Sequence, residues 1–250
     1  HAPELFARAV SLGAGPRYDA VIVDEGQDFI AEWWLSIDEL LTDSGNGTMY
    51  VFYDPEQNIF HRDFGFLVGE AKLTLDKNCR NTHQIASYVN RLSISKYEPA
   101  DFAVEGTLPV ERSVNSADSE AEEAEKIIDD LVHHKGLAPN RIVIVGRRRL
   151  QNSPFAECAQ LAGIPLIDES GGTPDDAAIR YATIYRFKGL EADCVILSGF
   201  SRPKVGETQS ELYCAASRAK LLLYALYRTD RKDLGPLKQI AGPQADVDPS

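Results

Sequence analysis

Residues 18–29 read Y-D-A-V-I-V-D-E-G-Q-D-F, an apolar run that meets two acids and then, past a glycine, a glutamine and a third acid. A continuous apolar run bounded by polar residues predicts a strand buried on both faces, as in a parallel sheet. Carboxylates at the carboxyl end of such a strand stand where open α/β sheets hold their ligands. Asp24 there could hold a divalent cation, and Glu25 could polarise a water attacking a phosphoryl group. Alone, the pair equally suits a solvated turn or a helix-capping acid. The phosphoryl chemistry also needs a glycine-rich loop with a lysine to cradle the phosphates, and no Gly-Lys pair occurs in the 250 residues.

The elements that must position these acids follow from pattern and punctuation. Strand 20–24 precedes a helix over about 31–42, strand 48–53 and a short strand 72–75. A helix starts near 82, capped by Asn81 or Thr82. After the strand-like stretch 107–114 comes helix 118–135. Ser119-x-x-Glu122 has the spacing of a capping box there, and Gly136 stands where a C′ glycine belongs. Strand 141–145, helix 153–162 stopped by Gly163, strand 165–168 and a loop at G-G-T-P-D-D follow. Strands 180–185 and 194–200, helix 208–218 and strand 221–226 complete the series, and the tail 241–250 is expected to fray.

Strands alternating with helices predict a parallel α/β architecture in two groups, residues 1–75 and 76–240. Three strands are too few for a whole domain, so the first group reads as the end of one.

Composition narrows the class. The length supports one large or two ordinary domains, and no apolar stretch reaches the length of a membrane span. Cys79, Cys158, Cys194 and Cys214 lie far apart with no C-x-x-C pair, which argues for a reducing, cytoplasmic setting over a disulfide frame or zinc site. The net charge of −12 is unevenly spread: residues 1–75 carry 13 acids against 4 basic residues, whereas residues 141–240 carry 15 basic residues against 11 acids. A basic groove in the second half therefore stays open. The first residue is not Met, and a piece of a longer protein is expected.

Five segments occur in order: V-I-V-D-E-G-Q-D (21–28), V-F-Y-D-P-E-Q-N-I-F (51–60), L-D-K-N-C-R-N (75–81), A-T-I-Y-R-F-K-G-L-E-A-D-C-V-I-L (182–197) and E-L-Y-C-A-A-S-R-A-K-L-L-L-Y-A-L (211–226). The series resembles motifs II to VI of the UvrD/Rep-type superfamily 1 DNA helicases. The likeness runs over about residues 18–226 and is most specific in the last two segments. It implies P-loop NTPase, RecA-like lobes with parallel sheets, the first incomplete and the second essentially whole. The phosphate loop would lie upstream, on another part of the same protein.

Such lobes bind ATP and Mg²⁺ between them and move on single-stranded DNA. The resemblance implies roles residue by residue. Asp24 would bind Mg²⁺, Glu25 would be the base, and Gln57 would sense the γ-phosphate. Arg80 and Arg218 would act as arginine fingers, bidentate donors that spread transition-state charge. Glu191, beside Gly189, would hold the ribose. Phe60, Thr183, Tyr185 and Lys188 would meet the DNA. Read without the resemblance, each arginine suits a surface ion pair, Lys188-Gly189 a turn, and Gln57 a loop cap. Arg147-Arg148-Arg149 could meet phosphates or stay solvated.

Departures fall mostly on the DNA side. Tyr53 stands for a glycine, Asp63 for an arginine and Tyr185 for a histidine, while Cys79 replaces an adenine-stacking tyrosine. Phe60 can still stack on a base, a contact of roughly 1–3 kcal/mol. Only about 100 residues separate Arg80 from Thr183, so a duplex-contacting insertion is small or missing, and translocation is better supported than unwinding. As a full protein the chain reads as an ATP hydrolase, the piece alone being inactive. The alternative is a catalytically decayed, helicase-like binding or regulatory module.

Overall fold

The unalternating run Ile142–Gly146 has to be covered on both faces, and all five of its residues are buried in the computed structural model of the chain. The structure describes residues 2–13, 15–43, 46–62, 71–169, 176–202 and 210–229. The expected fraying at 241–250, Asp63 and most of the G-G-T-P-D-D loop lie outside these. Contacts divide the chain into His1–Leu75 and Asp76–Ser250.

The first unit contains α1 (Ala2–Ser11), β1 (Ala20–Val23), α2 (Ala31–Asp38) and β2 (Thr48–Val51). β1 and β2 pair in parallel, Ala20 opposite Thr48 through Val23 opposite Val51. Val23, Trp34 and Ile37 form a small core against Val21, Phe29, Met49 and Val51. The expectation that β1 is buried on both faces is wrong: Ile22 is 70% exposed and Tyr50 is also exposed. α2 covers one face of this two-stranded sheet, and among the described residues nothing covers the other. The strand expected at 72–75 does not form, and Leu73 and Leu75 stay exposed.

In the second unit β3 (Lys77–Asn78) pairs instead with β4 (Glu98–Pro99), flanking α3 (His83–Leu92). Then come β5 (Val110–Val114), α4 (Ala117–Asp129), β6 (Ile142–Gly146), β7 (Gln160–Leu161), β8 (Ile164–Asp168), β9 (Ile179–Thr183), α5 (Ile184–Phe187), β10 (Ala192–Phe200), α6 (Ser210–Ala216) and β11 (Ala219–Arg228). The sheet order is β5-β11-β10-β6-β9-β8-β7, parallel except for the β7–β8 hairpin. The expected parallel α/β class is what the structure has. Ile128, Leu131, Ile144, Phe155, Tyr181 and Ile196 lie in its main core.

Three local expectations need correction. Helix 153–162 is absent. The Ser153 hydroxyl accepts from Phe155 N at 3.1 Å and donates to Leu150 O at 2.7 Å, a local alternative to helical bonding. Phe155 turns into the core, and Ala162 (φ 50°) and Gly163 (φ 75°) make the two-residue hairpin turn that needs positive φ. The cap of α4 is Ser116, one turn earlier than expected. Ser116 Oγ accepts from Ser119 N at 3.0 Å and Ser119 Oγ from Ser116 N at 3.0 Å. The helix continues as a π-helical turn over Asp130–His134, and Gly136 takes the expected left-handed φ of 70°. Finally, β9 stops at Thr183, so Tyr185 lies on α5 and not on a strand.

Candidate functional site

In the first unit the acids follow the end of β1, as their position after an apolar run requires. Asp24 is exposed, and its Oδ1 accepts from Glu25 N at 2.9 Å. Glu25 has a left-handed backbone (φ 54°), which costs a non-glycine residue roughly 1–2 kcal/mol. Gln27, fully buried, is the organiser. Its Nε2 donates to the Glu25 carboxylate and its Oε1 accepts from Asp54 N at 3.0 Å. Asp54 in turn accepts from Glu56 N at 3.0 Å and from Gln57 Nε2 at 2.8 Å.

Asp24, Glu25 and Gln57 are thus joined through Gln27 and Asp54. Phe60 is half-buried, with the Arg62 guanidinium 5.1 Å from its ring centroid and 5.1 Å from that of Trp33.

In the second unit Arg80, Glu191 and Arg218 are brought together from distant parts of the chain. Asn78 Oδ1 accepts from the backbone of Arg80 (3.2 Å) and Asn81 (3.1 Å), shaping the turn before α3. The buried Asn81 donates from Nδ2 to Ser217 O at 3.1 Å and Ala219 O at 2.6 Å, the carbonyls on either side of Arg218. Arg218 O accepts from Ala192 N at 3.1 Å, beside Glu191.

Arg80 Nε donates to Glu191 Oε2 at 3.2 Å, and Lys220 Nζ reaches Glu191 Oε1 at 3.2 Å. Lys220 and then Arg80 hold the Glu191 carboxyl below its ordinary range against the opposing effect of burial. Arg218 is only 2% exposed, with Nε donating to Cys214 O at 3.2 Å.

Thr183, Tyr185, Lys188 and Gly189 follow one another off the end of β9. Gly189 takes φ 81°, the left-handed turn that returns the chain to β10. Gly146 pairs with Thr183, which sets Arg147 beside this stretch. Tyr185 Oη donates to Glu211 Oε1 at 3.3 Å, and Arg147 Nη2 meets Glu211 Oε2 at 2.7 Å. Burial, then the Glu211 charge, push the Tyr185 phenol up to about 12, so it stays a neutral donor.

The sequence does not mark Gln27, Glu211 or Lys220 as site residues, and it marks Asn81 only as a candidate helix cap. A glutamine between the acids and an asparagine beside Arg80 were the only local signals. A surface cleft of about 490 Å³ between α3 and residues 105–111 contains none of the expected site residues. Among the described residues no cluster of potential metal ligands occurs, and no helix is long and apolar enough to cross a membrane.

Comparison with known proteins gives a family match and likenesses to solved structures. No curated protein matches the chain. The C-terminal domain of a possible DNA helicase from Lactobacillus plantarum WCFS1 is similar at 18% identity and a TM-score of 0.42, over 60% of this chain and 87% of that one. The model of the UvrD-like helicase C-terminal domain matches residues 179–226. That stretch runs from β9 to β11 through Thr183, Tyr185, Lys188, Glu191 and Arg218, and over it the chain is similar to the UvrD-like helicase C-terminal domain.

Proposed function

We propose that the chain is the C-terminal portion of an ATP-dependent DNA helicase or translocase. In this reading the first unit supplies the metal-binding and water-polarising acids, and the second supplies arginines to ATP. The carrying observation is that Arg80 bonds Glu191 while Asn81, next to it, holds the carbonyls on either side of Arg218, contacts between residues 111 and more positions apart. A mere set of surface ion pairs has no need of a buried amide bridging the two carbonyls that flank Arg218.

Mg²⁺ keeps several waters and takes one or two carboxylates with phosphate oxygens. An exposed Asp24 at a strand end fits that requirement, with Glu25 next to it to accept a water proton. ATP, when bound, supplies the phosphoryl group. Guanidinium donors from Arg80 and Arg218 would stabilise charge developing on it.

On the DNA side, Thr183, Lys188, Tyr185 and Arg147 cluster at the ends of β6 and β9 and suit a single-stranded backbone. Phe60 offers a ring for a base. The Glu211 carboxylate between Arg147 and Tyr185 favours a second reading, a module that keeps the fold without turnover.

The test is ATP hydrolysis by the chain joined to the upstream part that carries a phosphate loop, with and without single-stranded DNA, beside Glu25→Gln and Arg218→Ala. Stimulation by DNA that both substitutions abolish is the expected result. No turnover under any condition would favour the binding module.

A further inference from the structure

Arg80 and Lys220 share one carboxylate, and they share it unequally. Glu191 Oε2 takes Arg80 through Nε alone, whereas Oε1 takes Lys220 at 3.2 Å. Among the described residues both η nitrogens of Arg80 are therefore unengaged, so its planar fork can still meet a phosphate bidentately. Lys220 is fixed by its place at the start of β11, where its carbonyl accepts from Thr82 N, and Asp193 lies 3.9 Å from its ammonium. All three side chains are partly exposed, so the pairs can exchange without opening the core.

Resting on the nucleotide reading of this site, we propose that Lys220 is a positioning residue: it holds Glu191 so that Arg80 can leave the carboxylate for a phosphate. A carboxylate with one cation partner resists losing it, because the charge must be rehydrated. One with a second cation on its other oxygen keeps its neutraliser when the first departs. Lys220 is the stronger influence on the Glu191 carboxyl, in keeping with this order of release.

The test uses the 250-residue chain and inorganic tripolyphosphate with Mg²⁺, a probe that has no ribose for Glu191 to hold. Lys220→Met should weaken binding about tenfold, the scale of one charge-assisted contact. Adding Glu191→Gln should then restore it to within about threefold, because Arg80 is released, while Glu191→Gln alone should change it less than about threefold. If the gain from Glu191→Gln is the same with and without Lys220, the lysine is only a nearby cation and the proposal is overturned.

A second readout needs no phosphate. In Lys220→Met, hydrogen exchange at Arg80 Nε–H should slow at least about threefold, as Glu191 comes to depend on Arg80 alone. Unchanged exchange overturns the proposal. Failure of the unsubstituted chain to bind tripolyphosphate, with slowed exchange in the variant, refutes the nucleotide reading and supports the Lys220 role by itself.

Discussion

Replacing Asn81 removes the amide that ties the Arg80 turn to the Arg218 turn. Its side chain is 4% exposed and makes three hydrogen bonds, two from Nδ2 to the Ser217 and Ala219 carbonyls and one accepted from Asn78 Nδ2 at 2.8 Å. In Asn81→Ala both carbonyls lose a donor in a site with little room for water, and each unsatisfied group costs about 1–3 kcal/mol. Asn78 is half-buried and can turn to solvent, so its loss adds little. The sum is about 2–6 kcal/mol, a large share of an ordinary stability of roughly 5–15 kcal/mol.

Asn81→Asp keeps the shape but turns the donor into an acceptor facing two carbonyls, and should be the worse of the two. Urea unfolding, read from the midpoint at unchanged slope, gives both values. A loss below about 1 kcal/mol in the alanine variant, or an aspartate variant more stable than it, refutes the clamp. The same variants should lower nucleotide-dependent activity of the extended protein more than they lower its stability, because both arginines lose their seating.

Two further outcomes follow from buried groups. Glu120, fully buried on α4, accepts from Ser198 Oγ at 2.7 Å, Gly199 N at 2.6 Å and Arg228 Nη1 at 3.3 Å; Glu120→Ala should destabilise by about 3–5 kcal/mol, measured by urea midpoint, because it takes a carboxylate from a buried guanidinium. The phenols of Tyr181, Tyr185 and Tyr227 are pushed up to about 12, chiefly by burial. A raised folded value stabilises below the ordinary tyrosine range near 10 and is lost as pH climbs through about 12. Stability should therefore hold to about pH 10 and fall between there and about 12, and tyrosinate absorbance should show these rings ionising only as the fold opens.

The parts of the fold that were legible are those set by burial on both faces. Ile142–Gly146 and Ala192–Phe200 are apolar without alternation, and they are central strands because nothing else can cover them. Residues 153–162 misled because Phe155, Cys158 and Leu161 are spaced as on a helix. What decides their path is the Ser153 hydroxyl and a turn that two positive-φ residues permit.

The candidate site was legible in its charged residues and opaque in its supports. Asn81 reads locally as a helix cap, and Thr82 performs that task at 3.5 Å while Asn81 reaches across the fold to residues 217 and 219. Ile22 shows the opposite error, since an apolar residue in an apolar run need not be covered.

The sheet order has a consequence for how the chain is made. β5 is the first strand of the large sheet to be synthesised and β11 the last, yet β11 is the neighbour that holds β5 in the sheet. During vectorial synthesis β5 must wait more than 100 residues for its sheet partner. Glu120 waits as long for Arg228. Contacts so far apart close slowly. Until β11 emerges, the nascent second unit has an unpaired edge and an unmatched acid where its core will be.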